Sequence, residues 1–308
     1  MKKTLVGYSG FVGSNLNKAC EFDNLYDSVN IQEGFSKEHD LVVYSGVPAQ
    51  KTLANKNPEI DLETIEKAKN NIKKLNPKKM VLISTTDVYK NPNLVNEDTK
   101  IDTEGLQPYG LHRYYLEEWV KENISNHLIV HLPALYGSNL KKNFIYDMVT
   151  IIPFMLKENK INELELKMNN IKDYYTLDNS GFYKLNEISI EEKKNLKKFF
   201  INNDFNALNF TDSRNSYQFY NLNNLWNHIN IALDNNIKLL NLATEPINAG
   251  ELYRYIYGKE FINELSNNAI EYNMKTKHAN LFNGENGYIY NKEYLLEDLK
   301  KFVEGASL

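Results

Sequence analysis

Residues 4–19 leave this chain few folds to choose from. Thr4-Leu5-Val6-Gly7 is an apolar run of strand length, and Phe11 to Ala19 has helical character. Gly7, Gly10 and Gly13 punctuate the passage between them at a spacing of three and three. A strand that turns directly into a helix needs this pattern. Gly7 permits the tight turn, Gly10 lets backbone N–H groups approach a pyrophosphate, and Gly13 lets the helix pack closely on the sheet. The helix N-terminus adds partial positive charge. Ser9, Phe11 and Val12 complete the loop as candidate contacts for a dinucleotide cofactor.

The rest of the first half repeats the alternation. Strands are predicted at Leu25–Ile31, Asp40–Tyr44, Lys79–Ile83 and His127–Leu132. Helices are predicted over Pro58–Leu75, with an apolar stripe of Ile60, Ile65, Ala68, Ile72 and Leu75, and over Pro108–Asn123. Such alternation implies an α/β fold, a doubly wound, mainly parallel sheet with helices on both faces. The second half reads differently. Asn143–Leu156 is expected to be an apolar helix, 161–210 is rich in Lys, Asn and Tyr with weak periodicity, and Ile237–Ala243 reads as a strand. The expected organisation is a dinucleotide-binding domain over 1–145, and over 146–308 a smaller lobe with elements returning to the main sheet. The stretch from Asp173 to Asp204 is an insertion that reads as a solvated extension, a substrate lid or a partner surface. Its run Lys193-Lys194-Asn195-Leu196-Lys197-Lys198 reads as a solvated helix face.

Composition narrows the function classes. A formal net charge of -4 disfavours a broad nucleic-acid interface, which needs a basic surplus. One Cys excludes an intramolecular disulfide framework and fits a reducing compartment. The six His show no metal-ligand spacing, so no metal is expected. No apolar run reaches membrane-spanning length. The apolar stretch after Met1-Lys2-Lys3 is broken by Gly7, Ser9 and Gly10, which argues against a signal peptide; a cytoplasmic location is expected. Lysines number 33 and asparagines 45, against three arginines, Arg113, Arg214 and Arg254. Any arginine therefore runs against the habit of this chain.

Four segments, in order, carry a family likeness: the glycine loop, Asp40-Leu41-Val42-Val43-Tyr44-Ser45-Gly46, Ile83-Ser84-Thr85-Thr86-Asp87-Val88-Tyr89, and Pro108-Tyr109-Gly110-Leu111-His112-Arg113. With His131-Leu132-Pro133-Ala134-Leu135-Tyr136-Gly137 they resemble the extended short-chain dehydrogenases/reductases, the nucleotide-sugar epimerases, dehydratases and reductases. The likeness covers residues 3–145 and continues more faintly through 219–225 and 240–243. The short opening and Lys142-Asn143-Phe144-Ile145 are similar to the dTDP-4-dehydrorhamnose reductase branch. The resemblance implies NAD or NADP as cofactor, with Ser45, Gly46 and Leu132 beside it. It implies a nucleotide-sugar substrate, a role in polysaccharide biosynthesis, and room for a homodimer through the Tyr109 helix. The acid that reads the cofactor ribose belongs at the end of the second strand. Asn30 stands there by the predicted strand limits, so NAD against NADP stays open.

The chemistry of the residues agrees. Tyr109 and Arg113 are one helical turn apart and share a face. A phenol needs a neighbouring cation to act as a base near neutrality. By resemblance, Tyr109 moves the proton, Thr85 orients the substrate oxygen, and Arg113 takes the place of the family's Lys. Arg keeps the charge but cannot relay a proton. Thr86, Asn143 and Arg214 are the expected substrate contacts. The dehydratases carry Thr-Asp-Glu where this chain has Thr85-Thr86-Asp87, and strand alternation would turn Asp87 to the far face. Dehydration is therefore expected less than C4 epimerisation or keto-sugar reduction. The alternative is an NAD(P)-binding sensor or scaffold with weak catalysis, suggested by Arg113.

Overall fold

The computed structural model describes residues 1–178 and 181–306. The chain forms two compact units: one of residues 1–139, 216–247 and 270–295, the other of 140–215, 248–269 and 296–308. The chain thus leaves the first unit after Asn139 and returns to it twice.

The first unit is built on six parallel strands: β1 (Lys3–Val6), β2 (Asn24–Tyr26), β3 (Leu41–Tyr44), β4 (Lys79–Thr85), β5 (His127–Leu132) and the returning strand Leu239–Asn241. Their order is Leu239–Asn241, β5, β4, β3, β1, β2. Leu5 lies opposite Leu25 on one side and Val43 on the other, and Leu82 opposite Ile129. This is the Rossmann-type, doubly wound α/β fold. All four residues of β3 are buried because both faces are covered. Leu5, Val43, Val81 and Val130 pack with Leu16 of α1 (Phe11–Ala19) and with Leu225 and Ile229 of the helix Leu225–Asp234. Val42, Tyr44, Met80 and Leu82 pack with other helices. After the short α2 (Lys51–Lys56), these are α3 (Pro58–Leu75), through Ile65, Ala68 and Ile72, and α4 (Pro108–Asn123), through Leu116 and Val120. Both α3 and α4 start at a proline, where the missing N–H would have no helical partner.

Two strand ends differ from expectation, and both bear on function. The second strand stops at Tyr26 instead of Ile31. Asn30 ends it, accepting from the Asp27 N–H at 2.8 Å and donating to the Leu25 carbonyl at 3.2 Å, side-chain bonds that favour a turn over a ladder. At β4, Thr85 Oγ1 accepts from the Asp87 N–H at 3.1 Å and starts a 3-10 turn over Thr86–Val88.

In the second unit the apolar helix α5 is shorter than expected, Phe144–Thr150, and ends on Ile151 at φ 63°. Pro153 follows, and Met155–Lys157 is a strand. It pairs with Phe182–Leu185, which pairs in turn with Tyr175–Leu177. The insertion is no solvated extension: its Tyr175, Leu196 and Phe200 are buried in one core with Ile161, Leu164 and Ile171. Asn179 and Ser180 of that stretch lie outside the described residues. The helix Ile190–Asn202 starts with a reciprocal cap between Ser189 and Glu192, and Lys193, Lys194 and Lys198 occupy its exposed side.

Candidate active site

The carboxyl ends of β1, β3, β4 and β5 share one edge of the parallel sheet, and the strand order reverses at β1. In open sheets of this kind a ligand crevice forms at that place. Gly7 leaves β1 at φ +86°. A methyl on Gly13 would sit 2.0 Å from the Gly7 carbonyl oxygen, so α1 lies directly against the loop. Around Gly10 the nearest such atom is the same oxygen at 3.3 Å, with nothing else within 4 Å. No side chain caps α1. Its first-turn N–H donors are therefore left for an anion, while Phe11 and Val12 turn their side chains onto the core. Ser45 runs beside Gly7, its hydroxyl donating to the Val6 carbonyl at 2.8 Å, and Gly46 follows against Val6.

Ser9 donates to Asp27 Oδ2 at 3.3 Å, and Oδ1 of the same carboxylate accepts from the Val29 N–H at 2.9 Å. An acid thus stands just past β2, roughly twenty residues after the first glycine, where a carboxylate reads a ribose hydroxyl. The sequence reading gave this place to Asn30 because it ran the strand too far. Asn30 instead spends its amide on the turn.

Thr85 ends β4, and Leu132 ends β5 opposite it. Tyr109 and Arg113 come from the first turns of α4, which rests on the Thr86–Val88 turn. A methyl on Gly110 would lie 2.0 Å from the Asp87 carbonyl oxygen. That close approach sets the Tyr109 phenol beside the Thr85 side chain, which favours its ionised form. The Arg113 guanidinium carbon lies 3.9 Å from the centroid of the Tyr109 ring. Tyr109 and Arg113 are 7% and 5% exposed. Burial raises the phenol pKa above its ordinary value; Arg113 and, more weakly, Lys51 oppose the rise, and Asp87 adds to it.

Four neighbours in this cluster were not anticipated: Asp61, Pro48, Lys51 and Asn55. Arg113 Nη1 donates to both carboxylate oxygens of Asp61, at 2.8 and 2.6 Å, and to the Tyr109 carbonyl at 3.1 Å. Its Nη2 donates to the Pro48 carbonyl at 2.7 Å. Lys51 forms a 2.7 Å ion pair with Asp87. Asn55 accepts from the Tyr109 N–H at 2.9 Å. Asp87 acts on the phenol after all: alternation stops with β4 at Thr85, and the turn carries the next carboxylate round. The Thr86 hydroxyl is buried and is the one such side-chain atom among the described residues without a hydrogen-bond partner, a vacancy that suits a polar ligand atom. Further along α4, the Glu117 carboxylate accepts from Ser84 Oγ and faces His131 Nε2 at 3.1 Å, fastening the helix to β4 and β5.

Asn143 and Arg214 belong to the second unit. Asn143 caps α5, accepting from the Tyr146 N–H at 3.2 Å. Arg214 is held by Asp212, with Nε to Oδ1 at 3.0 Å and Nη2 to Oδ2 at 2.7 Å, and by Glu264 at 3.0 Å. That pairing keeps the Asp212 carboxyl well below the usual range. Among the described residues, no cluster of three or more His, Cys, Asp or Glu could hold a metal ion, and no helix is long and apolar enough to cross a membrane.

No family model matches the sequence, and no curated protein matches it. Solved structures do. A UDP-glucose 4-epimerase from Thermotoga maritima, determined with UDP-glucose, superposes with a TM-score of 0.63 at 14% identity, covering 99% of this chain and 98% of its own. A dTDP-4-dehydrorhamnose reductase from Bacillus anthracis in complex with NADP gives 0.64 at 15% identity, covering 99% of both chains. A UDP-N-acetylglucosamine 4-epimerase from Methanobrevibacter ruminantium, in complex with UDP-N-acetylmuramic acid, gives 0.64 at 12%, covering 98% and 97%. At these identities the likeness establishes the fold, over the full length of the chain.

Proposed function

We propose that this chain is an NAD(P)-dependent oxidoreductase acting on a nucleotide-activated sugar, as a C4 epimerase or a keto-sugar reductase. The observation that carries the proposal is a convergence at one sheet edge. A glycine-lined helix start meets there a buried tyrosine, beside Thr85 and covered by a guanidinium. The epimerases and the reductase of the same fold support the substrate class.

Gly7 to Gly13 and the N-terminus of α1 would hold the pyrophosphate. Asp27 would accept from a ribose hydroxyl and repel a 2′-phosphate, which favours NAD over NADP. When bound, the nicotinamide supplies or accepts the hydride. Tyr109 would give or take the proton at the sugar oxygen, and Thr85 would orient that oxygen. Thr86, with its unpartnered hydroxyl, would bond the sugar. Asn143 would bond sugar or phosphate, and Arg214 would take a phosphate in exchange for Glu264, its more exposed partner. Asp87 lies near Tyr109, but the preceding position holds Thr86 in place of an acid, so redox chemistry is preferred over dehydration.

Nicotinamide absorbance on adding UDP- and dTDP-sugars to the dinucleotide-loaded protein tests the proposal. Wild type is expected to turn over, and Tyr109→Phe to fall by about 10²–10⁴-fold. A second reading, a dinucleotide-binding sensor or scaffold with weak catalysis, draws on the commitment of Arg113 to Asp61 and Pro48. Dinucleotide binding with no conversion by wild type would select it.

A further inference from the structure

We propose that Asp61 is a positioning residue of this site: it pins the Arg113 guanidinium over the Tyr109 ring. The proposal explains an arginine in a chain that otherwise uses lysine. Arg113 makes four donor contacts in three directions, to both oxygens of Asp61, to the Tyr109 carbonyl and to the Pro48 carbonyl. A planar fork can do this while lying 3.9 Å from a ring centroid. A lysine would bring a single ammonium to one of these places. Asp61 has little else to serve. It sits in the first turn of α3, is 8% exposed, and receives only the Arg113 fork and His112, whose Nδ1 lies 2.8 Å from Oδ2.

The consequence is electrostatic. A buried cation beside a phenol favours the phenolate, and a carboxylate that fixes the cation there keeps that effect in force. The groups that face Tyr109 are Arg113 on its own helix, Asp87 and Thr85 at the end of β4, and Lys51 from α2. Asp61 and His112 stand behind Arg113. Asp61 thus acts on Tyr109 through Arg113. This rests on the reading of Tyr109 as the proton carrier, but the claim about its ionisation is separable from turnover.

The test is a titration of ¹³Cζ-tyrosine-labelled protein by NMR, with Tyr109 assigned by Tyr109→Phe, and needs neither cofactor nor sugar. Asp61→Asn keeps an acceptor and removes the charge. It is expected to loosen the guanidinium and raise the Tyr109 pKa, and a fall would overturn the proposal. In an Arg113→Gln background the same substitution should leave the phenol unmoved. Equal shifts with and without Arg113, or no shift in either, would overturn the proposal. If Asp61→Asn leaves an uncompensated charge and does not fold, Arg113→Gln alone and Asp61→Asn/Arg113→Gln still decide. Matching Tyr109 titrations in these two support the claim, and a displaced one refutes it. Loss of dinucleotide binding or turnover by wild type would sink the enzyme proposal and leave this titration untouched.

Discussion

The glycine loop and the Tyr109 cluster lie at one edge of the same sheet, yet they are built in different ways. The loop is made of backbone from one stretch of seven residues, Gly7 to Gly13, and its geometry follows from where side chains are missing. The Tyr109 cluster is made of side chains from four elements. Thr85 comes from β4, Tyr109 and Arg113 from α4, Asp61 from α3 and Lys51 from α2. A site of the first kind breaks when an atom is added. A site of the second kind shifts when a charge is moved.

The largest effect is therefore expected at Gly13. Gly13→Val would place carbon where 2.0 Å separates a methyl from the Gly7 carbonyl. Dinucleotide affinity, read by calorimetry, should fall below detection, and overpacking should cost about 1–3 kcal/mol of stability in a denaturant melt. If affinity survives, the loop is not the cradle. Arg113→Lys should act next. It keeps the charge but gives up the fork, so turnover should fall about tenfold, the scale of one lost charge-assisted hydrogen bond. Dinucleotide affinity should change less. A rise in turnover would mean that the arginine marks a degraded site. Asp27→Ala should be mildest, moving the NADH-to-NADPH affinity ratio toward NADPH by about fivefold, the scale of one hydrogen bond's net contribution. An unchanged ratio would return the ribose to Asn30 or to neither residue.

The same contrast explains what could be read from the sequence. The loop was legible because its spacing is local: Gly10 and Gly13 each meet Gly7, a few residues back in the chain. The parallel sheet was legible for a similar reason, since the apolar run of β3 can be satisfied only when both faces are covered. Tyr109 and Thr85 were legible through family likeness. Asp61 was not, because nothing in its first-turn position on α3 points fifty residues ahead to Arg113. Asp27 was missed by a strand limit. The turn chemistry of Asp27-Ser28-Val29-Asn30 would have stopped β2 at Tyr26, and it was outweighed by the apolar residues on either side. Arg214 shows the reverse case: the cation was visible, but not that Asp212, two residues earlier, holds it. The insertion was misread because its core residues Tyr175, Leu196 and Phe200 come from a short strand and a helix and pack on Ile161 and Leu164 outside it, so no single stretch shows a period.

The central claim is that the glycine loop and α1 form a dinucleotide cradle. Titration of purified wild type with NADH, followed by nicotinamide fluorescence, tests it most directly. Saturable one-to-one binding, tighter for NADH than for NADPH, is the predicted result. No saturable binding of either dinucleotide would contradict the account.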